Sequence, residues 1–124
     1  MTGHDDVVWY LRVAEEDLGA ILILAVEGRV FSGSAGEFAD RLARCQAGSR
    51  RDVIVDFSGV DYINSEGLRI LESAVERVRT SGGEMIICGL STVVRTAFEL
   101  AGVAAHLTIE PSRDAAIRYF DQRG

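Results

Sequence analysis

The sequence predicts a single mixed α/β domain over residues 1–124, in which a mostly parallel β-sheet with an N-terminal antiparallel hairpin packs against helices. Three observations support this fold class. Two apolar segments lie close together at the start of the chain, and segments with strand and helix patterns alternate after them. A length of 124 residues, 48% of them hydrophobic, is sufficient for one core, so we expect one domain.

The first two elements are predicted to be strands. Residues 7–14 (VVWYLRVA) and 20–27 (AILILAVE) are apolar and flank the turn-like sequence EEDLG, a pattern typical of an antiparallel hairpin. After Gly28, residues 34–47 carry apolar side chains at helical spacing, and Gly48 is expected to end that helix. The apolar positions of this helix are Phe38, Leu42 and Cys45.

A central strand and a long helix follow. Residues 52–57 (DVIVDF) are β-branched and apolar at their centre, which is typical of a strand covered on both faces. Residues 64–80 place an apolar stripe on one helical face, and the sequence SGG after them ends the helix. The stripe of this helix consists of Leu68, Leu71, Val75 and Val78. Residues 84–88 are predicted to form another buried strand.

The last third of the chain continues the alternation. Ser91 is a suitable N-cap for a helix that Gly102 ends. Residues 107–109 are expected to form a short strand, and Pro111 suits the first turn of a terminal helix. The predicted order of elements is therefore ββαβαβαβα. In the helix after Ser91, the inward-facing residues are expected to be Val94, Phe98 and either Leu100 or Ala101.

Composition and charge exclude several classes of function. The net charge is −6, so the chain lacks the basic field that attracts nucleic acid or anionic lipid. Its apolar runs fall short of the roughly 18 to 20 residues that span a bilayer. Residues 1–6 also do not resemble a signal peptide, so we expect no membrane insertion and a cytoplasmic location. Cys45 and Cys88 lack the spacing of a zinc site or redox pair, and we expect them to be core residues.

The sequence INSEG, at the junction between the central strand and the long helix, carries the candidate site. The first N–H groups of a helix have no partner within the helix and favour negative charge. If Asn64 caps the helix, Ser65 lies in the first turn, where a phosphate on its hydroxyl could accept bonds from those groups. Gly67 lets a neighbouring backbone or a partner approach closely. The alternative is that Ser65 is simply a cap, worth about 1 kcal/mol.

An enzymatic role is the weaker interpretation, and we expect no catalytic residue, cofactor or metal. The hydrolase elbow G-x-S-x-G is absent around Ser65. The two histidines, His4 and His106, are distant in sequence, so a catalytic triad would need the fold to bring His106 close. Nucleotide-binding glycine motifs are absent as well. Three carboxylates could be imagined as a magnesium site but are more simply a strand end, a loop and an exposed helix start: Asp56, Asp61 and Glu66.

The region from the central strand to the third helix resembles the STAS domain family, whose bacterial single-domain members are anti-sigma-factor antagonists. The similarity is strongest at the strand end DFS, at Val60 two residues later, and at an Asp-Ser-x-Gly-Leu-like turn that is NSEGL here. The later segments GGEMIICGLS and AFELAGV match the family in order and spacing. The resemblance covers most of the chain and implies a STAS-like fold.

The resemblance also implies regulation by partner switching. In the antagonists, a serine kinase that is also the anti-sigma factor phosphorylates the serine matching Ser65, and a serine phosphatase reverses the modification. The unmodified antagonist binds the kinase and frees the sigma factor, whereas phosphate spoils the contact. The alternative is an unphosphorylated STAS scaffold, or an accessory subunit of a transport, lipid-trafficking or stress-signalling complex. We expect a monomer or a weak homodimer.

The chain departs from the family pattern in the region expected to contact the partner. Asn64 stands where an aspartate is usual, Glu66 where a small residue is usual, and Phe31 where the family often has a polar or acidic residue. Because Glu66 already places negative charge beside the serine, the chain is expected to be a weaker substrate or to recognise a different kinase. The expected partner-binding residues are Ser58, Asp61, Asn64, Glu66, Gly67, Arg69 and Glu72.

Overall fold

The computed structural model of the chain describes residues 10–45 and 52–123. These residues form a five-stranded sheet in the order β1-β2-β3-β4-β5, in which β1 is antiparallel to β2 and each later pair is parallel. The predicted fold class and the predicted order of strands and α-helices are confirmed. The elements are β1 (Leu11–Asp17), β2 (Ile21–Val30), α1 (Ala35–Arg44), β3 (Asp52–Ile63), α2 (Ser65–Thr80), β4 (Glu84–Cys88), α3 (Thr92–Leu100), a short 3-10 helix (Ala104–His106), β5 (Ile109–Glu110) and α4 (Arg113–Arg123).

The main core lies on one face of the sheet, the front face, which packs against α1, α2 and α3. Side chains alternate along a strand, so every second residue of a central strand points to this face. Phe57 of β3 lies between Phe38 of α1 and Phe98 of α3, with ring centroids 6.2 and 6.1 Å away. The predicted apolar residues of α1 and the predicted stripe of α2 are all buried in this core, which confirms both patterns.

The opposite face of the sheet, the back face, packs against α4. Arg113, at the start of this helix, donates to Asp56 Oδ2 at 3.1 Å and to Glu16 Oε1 at 2.7 Å. Arg123, at its end, pairs with Glu84 at 2.8 Å. Ion pairs therefore hold both ends of α4 over a small apolar core. The buried members of that core are Ile23, Ile54, Ile86, Cys88, Ala116 and Phe120.

β3 is longer than predicted, because it runs to Ile63 and does not end at Phe57. The register between β2 and β3 shifts after Ala25 and again after Gly28, and each shift accommodates one extra residue in β3. These bulges leave Phe57, Val60 and Ile63 buried at a spacing of three. A spacing of three breaks the alternation that identifies a strand in a sequence, and for this reason the second half of β3 reads as a loop.

The hairpin turn lies further along the chain than predicted. Residues 7–9 of the predicted first strand lie outside the described residues, and residues 15–17, expected in the turn, belong to β1. The chain reverses at Gly19, which has a φ of +81° and donates its N–H to Asp17 Oδ1 at 2.8 Å. The backbone ladder with β2 thus continues through polar residues, because an exposed strand end needs no apolar side chains.

The end of α3 corrects one prediction about the core. Gly102 ends the helix as predicted, with a φ of +75°. Leu100 and Ala101, one of which was expected to face inward, are both exposed. Because Gly102 turns the chain back, the N–H of Val103 donates to the Phe98 carbonyl at 3.2 Å and the Val103 side chain enters the core instead.

Three other predicted boundaries differ from the structure or lie outside it. Gly48, expected to end α1, falls outside the described residues. β5 starts two residues later than predicted. Pro111 precedes α4 and is not in its first turn, because the hydroxyl of Ser112 takes the capping position and accepts a bond from the N–H of Ala115 at 3.1 Å.

Both cysteines are buried free thiols, as predicted. Burial raises the pKa of Cys45 to about 11. Burial, with a further contribution from the Asp56 carboxylate, raises the pKa of Cys88 to about 12. Cys45 belongs to the front core and Cys88 to the back core, so both act as small apolar residues in separate layers.

Candidate functional site

The junction between β3 and α2 presents Ser65 at the surface. Asn64 is extended, and its side-chain oxygen accepts a hydrogen bond from the N–H of Gly67 at 2.9 Å, so Asn64 is the N-cap of α2. Ser65 is the first helical residue, and it is exposed. Within residues 10–45 and 52–123, no hydrogen bond engages the Ser65 hydroxyl. Asn64 therefore does the capping, and the serine hydroxyl faces solvent.

Contacts with the core fix the start of α2. The N–H of Asn64 donates to the carbonyl of Val30 at 3.0 Å, which ties this junction to the end of β2. Gly67 is buried, and a Cβ atom there would lie 2.6 Å from Val30 Cγ1 and 2.8 Å from Ile63 Cγ1. The close approach that Gly67 permits is made by the chain's own core. Of the two possibilities considered for Gly67, close approach by the chain itself or by a partner, these contacts favour the first.

The exposed face of α2 continues from Ser65 to two charged side chains. Residues four and seven positions apart share a helical face, so Arg69 and Glu72 follow Ser65 in one line. Arg69 is exposed, Glu72 is half-buried, and Glu66 is exposed in the first turn. A solvent-facing hydroxyl, the positive end of a helix, a carboxylate and a guanidinium therefore lie within two helical turns.

His106 lies beside the later turns of α2, away from Ser65. Its Nδ1 is 3.3 Å from Glu72 Oε2, and its carbonyl accepts a bond from the Arg79 guanidinium at 3.2 Å. Along the helix axis, Glu72 lies about 10 Å from Ser65, and Arg79 lies about 21 Å from Ser65. The structure does not bring His106 to the serine, as a hydrolase triad requires. His4 lies outside the described residues.

Asp56 holds the bulge of β3 that carries Ser58. Its Oδ1 accepts a bond from the Ser58 N–H at 2.9 Å, and its Oδ2 pairs with Arg113 at 3.0 Å. Burial by itself would raise the pKa of the Asp56 carboxyl, but the hydrogen bonds from Ser58 and Arg113, and the charge of Arg113, lower it below its ordinary value. The carboxylate is thus ionised and engaged on both oxygens, and it fixes the backbone at the exposed Ser58.

The three carboxylates considered as a magnesium site do not form one. Asp56 is engaged by Arg113 on the back face, whereas Asp61 and Glu66 are exposed on β3 and α2. In the part of the chain that the structure describes, no group of three or more His, Cys, Asp or Glu residues is placed to hold a metal ion. Asp61 and Glu66 contribute negative charge to the surface around Ser65.

Four further side chains gather next to this junction, and we call them the aromatic cluster: Tyr10, Arg29, Phe31 and Tyr62. The Tyr10 and Phe31 rings meet edge to face, with centroids 5.1 Å apart. The Arg29 guanidinium lies 5.8 Å from the Phe31 centroid and 5.4 Å from the Tyr62 centroid. Tyr10 and Tyr62 are 41% and 42% exposed. The cluster is an exposed aromatic and cationic surface at the end of the sheet.

Long-range pairing assembles the aromatic cluster. Arg29 is opposite Tyr62 in the β2–β3 ladder, and the N–H of Arg29 donates to the Tyr10 carbonyl at 2.7 Å. Gly28 permits that bond, because it has a φ of +108° and a Cβ atom there would strike the Tyr10 carbonyl. Of the four residues, the sequence singled out only Phe31. No local pattern links positions so far apart in the chain.

Comparisons with known proteins agree with this fold. The model of the STAS domain matches residues 12–116. BtrV of Bordetella bronchiseptica, described as an anti-sigma factor antagonist, is 32% identical over 111 residues, which cover 89% of this chain and 95% of BtrV. The crystal structure of an anti-sigma factor antagonist from Mycobacterium paratuberculosis has a TM-score of 0.81 at 21% identity, over 88% of this chain and 92% of that chain. The phosphorylated form of SpoIIAA, a Bacillus cell fate determinant, has a TM-score of 0.65 at 14% identity, over 87% of this chain and 99% of that chain.

Proposed function

Since the chain belongs to the STAS domain family, we propose that it is an anti-sigma-factor antagonist that acts by partner switching. The unphosphorylated chain binds a serine kinase that is also the anti-sigma factor, phosphorylation of Ser65 releases the kinase, and a serine phosphatase restores the binding form. The observation that carries the proposal is the exposed Ser65 hydroxyl at the start of α2, which the helix cap does not use. The description of BtrV and the phosphorylated form of SpoIIAA support it.

A phosphate on Ser65 changes the surface without refolding the core. It adds about −1.5 to −2 charge at neutral pH, next to unpaired N–H groups and the positive end of α2. Arg69, one turn further on the same face, can pair with it, whereas Glu66 and Asp61 repel it. Attraction of about 0.3 to 1 kcal/mol from the helix end offsets part of that repulsion. The fold therefore tolerates the phosphate, and a docked partner does not.

The proposed partner face surrounds Ser65 on the β3 bulge and on the exposed side of α2. Charged groups at its edge steer association, and a phosphate at its centre places unmatched charge inside the contact. Gly67 lies beneath this face and acts by letting the helix start sit against the core. The residues proposed to contact the kinase are Ser58, Asp61, Asn64, Glu66, Arg69 and Glu72.

The proposed activity is binding and not catalysis, and the proposed location is the cytoplasm. The one histidine that the structure describes contacts Glu72 and does not lie beside Ser65. Within residues 10–45 and 52–123, no helix has the length and apolar character needed to cross a bilayer. A monomer, or a weak homodimer that leaves the partner face open, is the form proposed to bind the kinase.

Intact mass spectrometry tests the phosphoacceptor. A pull-down with the unphosphorylated chain first identifies the serine kinase, which is then purified. Incubation of the purified chain with this kinase and ATP should add one phosphate. Ser65→Ala should abolish the addition. Thr92 is the matched control, since it is an exposed hydroxyl residue at the first position of α3. Thr92→Ala should therefore still gain the phosphate. Phosphate that persists on Ser65→Ala contradicts the proposal, and a chain that no kinase modifies favours the scaffold alternative.

Charge reversal on α2 tests the partner face. Arg69→Glu should weaken the complex with the kinase about tenfold or more, which corresponds to about 1.4 kcal/mol of binding free energy. Arg95→Glu, at an exposed position of α3, is the control and should leave the affinity within about threefold. Isothermal titration calorimetry measures both. Equal affinities of the two variants would remove Arg69 from the partner face.

A further inference from the structure

We propose that the aromatic cluster is a specificity-determining contact for the kinase, beside the phosphoacceptor. The inference rests on the proposed function and adds to it a second part of the docking surface. Tyr10 lies just before β1, Arg29 and Phe31 lie at and just after the end of β2, and Tyr62 lies near the end of β3. None of them belongs to the face of α2 that carries Ser65.

The cluster is organised before any partner arrives. The edge-to-face contact between Tyr10 and Phe31 and the stacking of Arg29 on Phe31 and Tyr62 fix four side chains against one another. The positive φ of Gly28 fixes the backbone from which Arg29 extends. Side chains that are already ordered lose little conformational entropy on binding, which favours their use as anchors.

The cluster lies within the footprint of any protein that covers Ser65. Tyr62 is three residues before Ser65, so their Cα atoms are at most about 11 Å apart. The bond from the Asn64 N–H to the Val30 carbonyl joins the strand end that carries Arg29 to the start of α2. A stable interface buries about 800 Å² on each partner, a patch roughly 28 Å across. A kinase centred on Ser65 therefore reaches the rings.

The chemistry of the surface indicates what the kinase presents to it. Tyrosine and arginine are the residue types that dominate binding energy at interfaces. Two exposed carboxylates are adjacent in sequence to Tyr62 and Ser65, namely Asp61 and Glu66, and the chain carries a net charge of −6. The occupant is therefore a kinase surface with an apolar side chain that packs on the Tyr62 ring and Lys or Arg side chains that face the carboxylates.

The chain also offers exposed apolar residues that serve as controls. Val93 and Leu100 on α3 are 67% and 84% exposed, which is more than Tyr62. Nothing in the structure shows what covers them. If exposed apolar area alone determined docking, they would contribute as much as Tyr62.

Binding and kinetics with the purified kinase test the proposal. Tyr62→Ala should weaken kinase binding about tenfold or more. It should raise the KM for phosphorylation of Ser65 by a similar factor and leave kcat within about twofold, because docking is equal in the ground and transition states. Tyr62→Phe, which keeps the ring, and Leu100→Ala should each bind the kinase within about threefold of the affinity of the original sequence. Tyr62→Thr, a β-branched replacement suited to a strand, should reproduce the loss, and thermal melting establishes that each variant is folded.

The possible outcomes separate this inference from the proposed function. If Tyr62→Ala and Tyr62→Thr bind the kinase normally while Ser65→Ala still blocks phosphorylation, the cluster has no role and partner switching stands. If the unmodified chain acquires no phosphate on Ser65, both proposals fall together. Analytical ultracentrifugation tests whether a second copy of this chain binds the aromatic cluster instead of the kinase. If the chain forms a dimer that Tyr62→Ala dissociates while its affinity for the kinase is unchanged, the inference is also overturned.

Discussion

The starts of α2 and α3 are built alike but lie in different surroundings. Each helix follows a strand of the parallel part of the sheet, and each is capped by a side-chain oxygen, from Asn64 at 2.9 Å and from Ser91 at 3.2 Å. Each then places a hydroxyl residue, Ser65 or Thr92, exposed at the first helical position. An exposed hydroxyl at a helix start therefore does not by itself define a phosphoacceptor.

The difference lies in what surrounds the two hydroxyls. Ser65 has Arg69 one turn further on its helical face and the aromatic cluster across the bond between Asn64 and Val30. Thr92 is followed by the exposed Val93 and has another hydroxyl residue, Thr96, one turn further. In the proposed function, these surroundings, and not the exposure of the hydroxyl, distinguish Ser65 from Thr92.

The third helical position shows the same contrast in the core. α2 has Gly67 there, because the side chains of Val30 and Ile63 already fill the space. α3 has Val94, whose own side chain is buried. Four sets of substitutions, from the largest expected effect on stability to the smallest, test how far the two helix starts differ.

Gly67→Val should produce the largest loss of stability. The new side chain would overlap Val30 and Ile63, and overpacking of this kind lowers the free energy of unfolding by about 2 to 3 kcal/mol. Urea denaturation measures the change. Gly36→Val in α1 is the control, because a Cβ atom there meets nothing within 4 Å, and its effect should stay within about 0.5 kcal/mol. Equal effects at the two glycines would contradict the tight packing under α2.

Val94→Ala should be the next largest. Removing two buried methyl groups lowers the free energy of unfolding by about 1.5 to 2 kcal/mol. Val93→Ala, at the exposed neighbouring position, should change it by less than about 0.5 kcal/mol. Denaturation curves of the two variants that coincide would show that α3 is not anchored through Val94.

Removal of either cap should have equal, intermediate effects. Asn64→Ala and Ser91→Ala each leave an N–H at the helix start without its partner and should cost about 1 kcal/mol. Asn64→Asp and Ser91→Asp retain a capping oxygen and should preserve most of the stability. Thermal unfolding followed by circular dichroism measures all four, and an unchanged midpoint for Asn64→Ala would mean that another group caps α2.

Ser65→Ala and Thr92→Ala should have the smallest effects on stability. Both side chains are exposed and neither hydroxyl caps its helix, so the free energy of unfolding should change by less than about 0.5 kcal/mol. A loss at Ser65 as large as that of Asn64→Ala would show that the serine hydroxyl is structural. If both variants are as stable as expected, only the phosphorylation assay should distinguish Ser65→Ala from Thr92→Ala.

Much of the fold was predictable because its signals are local. The apolar stripe of α2, the caps at Asn64 and Ser91 and the glycine that ends α3 depend on residues within one or two helical turns. The second half of β3 was not predictable, because its bulges arise from pairing with β2. Helical spacing predicts either Leu100 or Ala101 in the core, but the turn at Gly102 sends Val103 there instead.

The sequence alone determined the order of the elements and a capped start of α2 at Asn64 and Ser65, and the structure decided that Asn64 is the cap. These features follow from periodicity and capping, which act over three or four residues. Tertiary structure alone decided that Gly67 faces the core, that His106 lies against Glu72, and that the Arg29 guanidinium lies over the Tyr62 ring. Those contacts join residues tens of positions apart, and strand register, which no short segment specifies, sets which of them meet.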